Sequence, residues 1–223
     1  MTRRAALVDG FRTAWGEERI EYWNAGVEGY GTHQVDRYHA RFLQPLDADL
    51  VVYTMHPNDF SATPVTFLEG DRLVVHATRV ASTRTNPWLF RNSELYRLWL
   101  SWRLDAPEAG DRIPTAGLLD EAESALVALR ERVESGGARF VVLLLPWLAP
   151  EDRWPEHARF ARERSLAMLD AHAIEAVDLL PALRAALAAS EEVRERPKDA
   201  EHPSKAFGLR AAALAVERGL TAD

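Results

Sequence analysis

Three short polar clusters in the 223 residues bring together side chains able to move protons or to hold developing negative charge. The first is the turn Asn24-Ala-Gly-Val-Glu-Gly29-Tyr-Gly-Thr32, where glycine lets the backbone approach a substrate closely. The second, His56-Pro-Asn58-Asp59, sets an amide and a carboxylate after an apolar run. The third, Asp199-Ala-Glu-His202-Pro, places an imidazole shortly after a carboxylate in a polar loop, where the acid can orient the ring as a general base. Each has a plainer reading. His202 could be an exposed loop histidine, Asn58-Asp59 a polar turn closing a strand, and the glycine turn a phosphate cradle at a helix N-terminus. A dinucleotide site is disfavoured, because Gly26-x-x-Gly29-x-Gly31 reverses the usual glycine spacing and no acidic residue closes a following strand to hold ribose. His33-x-x-Asp36-x-x-His39 has ligand-type residues, but steps of three drift round a helix, so the outer pair does not converge with Asp36 on one ion. No cofactor and no metal is expected.

The elements that must position these clusters follow from hydrophobic periodicity. Helices are predicted over Arg4–Glu18, His33–Leu43, Leu89–Leu104, Ala116–Ser135, Trp154–His172, Pro181–Ala189 and Phe207–Arg218. The second helix would use Val35, Tyr38, Phe42 and Leu43 as apolar contacts, and Trp88, Trp99 and Trp102 would be core or groove-lining. Asp49-Leu-Val-Val-Tyr-Thr-Met55 is nearly continuously apolar, as a strand buried on both faces requires. Arg139–Leu145, ended by Pro146, reads as the most buried strand, and Ile174–Asp178 as a short one. Arg19–Asn24 alternates like a strand, and Val65–His76 like a hairpin turning at Gly70-Asp71. Strands alternating with helices imply a parallel sheet covered on both faces, with sites beyond the carboxyl ends of the strands. The three clusters fall at such ends. We expect one domain over residues 1–223, with a small insertion at about 60–87.

Composition removes whole classes of function. Hydrophobic residues make up 47% and charged residues 27%, enough to build a core. A formal net charge of −7 argues against a nucleic-acid partner. With no cysteine, disulfides, thiolate metal sites and cysteine nucleophiles are all excluded. No apolar run is long enough to span a membrane, and no signal-peptide-like apolar region follows Met1, so localisation stays open.

Taken in order, the three clusters resemble the blocks of the SGNH, or GDSL-type, serine esterase and acyltransferase superfamily. The resemblance implies a three-layer α/β/α fold with a parallel, flavodoxin-like sheet in the order 2-1-3-4-5. It also implies roles. Gly29 would give a backbone oxyanion donor and Asn58, in place of the asparagine of G-x-N-D, a side-chain donor. His202 would be the general base and Asp199 its orienter. One well-placed oxyanion donor is worth about 2.7–4 kcal/mol. The partner implied is a small-molecule or glycan ester. Esterase, polysaccharide deacetylase, lysophospholipase and O-acetyltransferase activities all fit.

The sequence departs from the family twice. His56 stands where G-x-N-D has glycine, and no Gly-Asp-Ser block occurs anywhere. Asp9-Gly10 has the order reversed, and Gly70-Asp71-Arg72 and Gly110-Asp111-Arg112 lack the serine. In the family that block follows the first, interior strand. We therefore expect a chain whose front end, with that strand and its serine, is missing, and which is inactive as it stands. The strands at Ile20–Asn24 and Leu50–Met55 would then flank an empty strand position. The alternative is a non-catalytic pseudo-enzyme of the same fold acting as a binding or scaffold module.

Overall fold

In the computed structural model of the chain, the residues described are 6–15, 21–27, 30–56, 59, 65–69, 72–77, 80–96, 99, 116–196 and 200–218. Their centre is a parallel sheet of three strands, β1 (Leu50–Met55), β5 (Arg139–Leu144) and β6 (Ala176–Asp178), in the order β1-β5-β6. β5 runs down the middle, pairing Leu50 with Arg139 on one side and Leu144 with Asp178 on the other. Both faces are covered, and the alternation of β5 divides the core. Val141 and Leu143 pack with Phe11 of α1 (Ala6–Trp15), Leu183 of α6 (Leu180–Ala188) and Phe207 of α7 (Lys205–Glu217). Phe140, Val142 and Leu144 pack with Leu126 and Leu129 of α4 (Ala116–Ser135) and Met168 of α5 (Glu156–Ala171). The fold is a three-layer α/β/α arrangement, because a strand apolar on both sides needs a helix layer on each.

Local chemistry sets the element ends. α4 stops where predicted. Gly136 and Gly137 follow it, Gly137 taking a left-handed φ of 90°, and the Ala138 N–H turns back to the Val133 carbonyl at 3.2 Å. Ser204 caps α7 by accepting from the Phe207 N–H at 3.1 Å. α1 and α7 cross at Gly10. A Cβ there would meet Ala212 Cβ at 2.6 Å and the Gly208 carbonyl at 2.9 Å, so only glycine permits the approach.

Several expectations are corrected. The predicted strand at Ile20–Asn24 does not form: residues 21–27 have no regular structure, and the described residues place no strand beside the outer edge of β1. Alternation alone cannot hold a strand without a partner. Here Tyr22 stacks on Trp15, and the Asn24 side chain accepts from the Gly26 N–H at 3.1 Å, closing a turn instead. The helix expected over His33–Leu43 is α only in α2 (Thr32–Tyr38). A π-helical turn, His39–Leu43, then adds a residue to the turn, and Phe42 ends up exposed rather than in contact with the core.

The hairpin has a third member. β2 (Val65–Glu69), β3 (Arg72–Ala77) and β4 (Val80–Thr85) form an antiparallel sheet, in which Glu69 pairs with Arg72; the turn expected at Gly70-Asp71 lies outside the described residues. The helix expected at Leu89–Leu104 is only α3 (Pro87–Asn92) in its first part. Extended Ser93 interrupts it, and helical residues follow at 94–96 and 99, with the Ser93 hydroxyl accepting from the Tyr96 N–H. Trp88 and Trp99 are exposed rather than core; Trp102 lies outside the described residues. No helix among the described residues is long and apolar enough to cross a membrane.

Candidate active site

β1 delivers its last residues to the carboxyl end of the sheet, and the nearly continuous apolar run carries a buried polar tip at Tyr53. Tyr53 points into the layer beneath α4, where its hydroxyl lies 3.1 Å from Thr32 Oγ1. The same hydroxyl donates to Asp59 Oδ2 at 3.0 Å. Thr32 is wholly buried and closes the glycine turn as the first residue of α2. One phenol thus joins the glycine cluster to the His-Pro-Asn-Asp cluster from below.

The second cluster is closed on itself. Asp59 Oδ2 also accepts from the His56 N–H at 2.9 Å, and the Asp59 N–H donates to the His56 carbonyl at 2.9 Å. The aspartate of the cluster is therefore the residue that shapes its turn. Burial pushes the Asp59 carboxyl up to about 7; the bonds from His56 and Tyr53 hold it down, and Glu201 pushes it further up. Burial also raises the Tyr53 phenol well above its ordinary value, helped by Asp59.

The third cluster reaches the same end of the sheet. Beyond β5, the Leu145 N–H donates to the Met55 carbonyl at 2.8 Å, and the Leu148 N–H donates to the Ala200 carbonyl at 3.0 Å. The loop is braced internally by the Glu195 N–H on the His202 carbonyl, 2.9 Å, and by the Ser204 N–H on the Val193 carbonyl, 3.0 Å. His202 is exposed on this loop, next in sequence to the Glu201 whose charge is felt at Asp59. Gly29, Asn58 and Asp199 lie outside the described residues.

Aromatic rings complete this end. Trp147 lies 6.0 Å from the buried His56 ring and meets His157 of α5 edge-on at 5.5 Å. Tyr53, Thr32, Glu201 and Trp147 were not read as site residues in the sequence. The available signal was a tyrosine inside a two-face-buried strand, whose hydroxyl must find a partner. No group of metal-ligating side chains occurs among the described residues; His33-x-x-Asp36-x-x-His39 instead spends Asp36 on an ion pair with Arg132 of α4.

No family model and no curated protein matches the sequence. Solved structures do. A catalytic mutant of an acetylxylan esterase from Geobacillus stearothermophilus superposes with a TM-score of 0.59 at 15% identity, over 98% of this chain and 83% of that one. An alpha/beta hydrolase enzyme from the metagenome of Lake Arreo, Spain, gives a TM-score of 0.58 at 15% identity, over 95% and 78% of the two chains. At this identity the likeness is one of fold: the chain shares the three-layer α/β/α architecture of these enzymes.

Proposed function

We propose that this chain is an ester-hydrolase domain of SGNH type, residues 1–223 forming one domain with an insertion at about 60–87. The observation that supports the reading is the Thr32–Tyr53–Asp59 chain, since it ties Thr32, at the end of the glycine cluster, to Asp59 at the sheet end where the His202 loop also docks. A serine oxygen would attack the acyl carbon and pass its proton to His202, held by Asp199. The oxyanion would form at Gly29 N–H and the Asn58 amide, and the alcohol would leave with the proton from His202. Water would then release the acid by the same route, or a second alcohol would take the acyl group.

The 223 residues contain no Gly-Asp-Ser, so this scheme needs a reactive serine of the kind that a family-type strand and Gly-Asp-Ser block would supply. The acetylxylan esterase among the structural neighbours supports an acetylated glycan as the substrate class. The test is labelling with a serine-directed phosphonate, alongside burst kinetics on an activated ester. The 223-residue chain should give neither label nor burst, and a version extended by a family-type strand and Gly-Asp-Ser should give both. Stoichiometric labelling of the unextended chain would overturn the nucleophile assignment. A stable extended chain without label would favour the second reading, a non-catalytic binding module, which the missing Gly-Asp-Ser favours.

A further inference from the structure

We propose that His39 is an acid-released anchor: with its ring neutral it seats the π-helical turn His39–Leu43 against α4, and on taking up a proton it lets that turn lift away. His39 is the one buried residue among the five of the turn, and Phe42 beside it is exposed, so the hold on α4 falls to this ring. Among the described residues nothing bonds to its Nδ1, which is buried. A neutral imidazole can carry its proton on Nε2 and leave Nδ1 bare, but an imidazolium has an N–H on both nitrogens. Protonation therefore creates a buried donor and a buried charge with no acceptor in place.

The nearby carboxylate is already spent. Arg132 of α4 pairs with the Asp36 carboxylate and donates to the Asp36 carbonyl at 3.3 Å, the same carbonyl that accepts from the His39 N–H. The guanidinium is thus tied to the backbone that carries the ring. The charged groups that face His39 are Arg132 from α4 and Asp36 from α2. Burial lowers the ring's pKa below its ordinary 6.5 and Arg132 lowers it further, against the raising pull of Asp36. A base whose pKa falls on folding contributes stability that is full above about 6.5 and is lost as pH drops below it. The loss lands on the far end of α2, because the start of that helix is held separately by Thr32 beside the Tyr53 hydroxyl. None of this depends on ester chemistry.

The test is residue-resolved amide hydrogen exchange on the full chain, corrected for intrinsic rates, at about pH 7.5 and about pH 5. The Gln44 N–H closes the turn on the His39 carbonyl. Its protection should fall about tenfold or more at the lower pH, since so short a turn does not persist unseated. Val142, in mid-sheet, should not share the fall. His39→Phe, which fills the seat without a titrating group, should abolish it. If His39→Phe does not fold, Arg132→Met decides: it frees Asp36 for the imidazolium and should shrink the ratio between the two pH values, and an undiminished ratio overturns the anchor. The anchor is also overturned if the wild type shows no fall, if Val142 falls equally, or if the fall survives in His39→Phe.

Discussion

Tyr53 donates its phenolic proton to Asp59 across 3.0 Å, from inside the parallel sheet to the turn beyond its end. The same oxygen meets Thr32 at 3.1 Å, so one side chain joins strand, helix start and turn. Tyr53→Phe keeps the ring and removes the hydroxyl. It leaves two buried polar partners short of a bond and should cost about 1–3 kcal/mol, read by urea denaturation. Because that hydrogen bond holds the Asp59 carboxyl down, the same variant should raise the Asp59 titration midpoint, read by carboxyl carbon NMR.

Asp59 also imposes a pH dependence on stability. Its carboxyl rises from 3.8 in the unfolded chain to about 7 when folded, so the native state binds the proton more tightly. The resulting contribution is fully present below about pH 4 and is lost as pH rises through about 7, with a slope of at most about 1.4 kcal/mol per pH unit. Asp59→Asn should flatten unfolding free energy against pH over this window. An unchanged slope in that variant would assign the dependence to other groups.

Gly10 sets the spacing of α1 and α7. Gly10→Ala places a methyl 2.6 Å from Ala212 Cβ and 2.9 Å from a backbone carbonyl, neither of which can bend aside. The helices must separate, costing roughly 1–3 kcal/mol despite alanine's better helix propensity. Thermal melting should show a clear drop for Gly10→Ala. The double variant Gly10→Ala with Ala212→Gly should recover part of it.

Arg132 of α4 pairs with the Asp36 carboxylate and also donates to the Asp36 carbonyl at 3.3 Å, clamping α2 to α4. Arg132→Met should cost about 1 kcal/mol, with a non-additive double-mutant cycle against Asp36→Asn. His39 supplies a second readout. Burial lowers its pKa first and the nearby Arg132 charge lowers it further, so Arg132→Met should shift the His39 ring titration upward in proton NMR.

Periodicity and apolar runs were enough to locate the sheet and its covering helices. Leu50–Met55 and Arg139–Leu144 are apolar on both faces, and Ala116–Ser135 carries its stripe between unmistakable ends, so burial alone dictates their form. The docking of the His202 loop at the carboxyl end was legible only through motif order, because its backbone bond to Leu148 leaves no trace in side-chain pattern. The alternation at residues 21–24 misled because a strand needs a neighbour's hydrogen bonds as well as the right residues, and these residues found a stacking ring and an Asn turn instead. Phe42 misled for a related reason: a π-helical turn changes which face a residue occupies, and no single residue announces it.

From the sequence by itself came the layered α/β class and the identity of its central strands, while His202, Asp199, Asn58 and Gly29 entered as the groups that the family resemblance puts forward for ester chemistry. Tertiary structure decided what those types could not: that Asp59 accepts from Tyr53 and the His56 backbone where burial lifts its carboxyl to about 7. The physical reason is that a carboxyl's pKa depends on its desolvation and on charges contributed by residues distant in the chain, and only the fold brings those together.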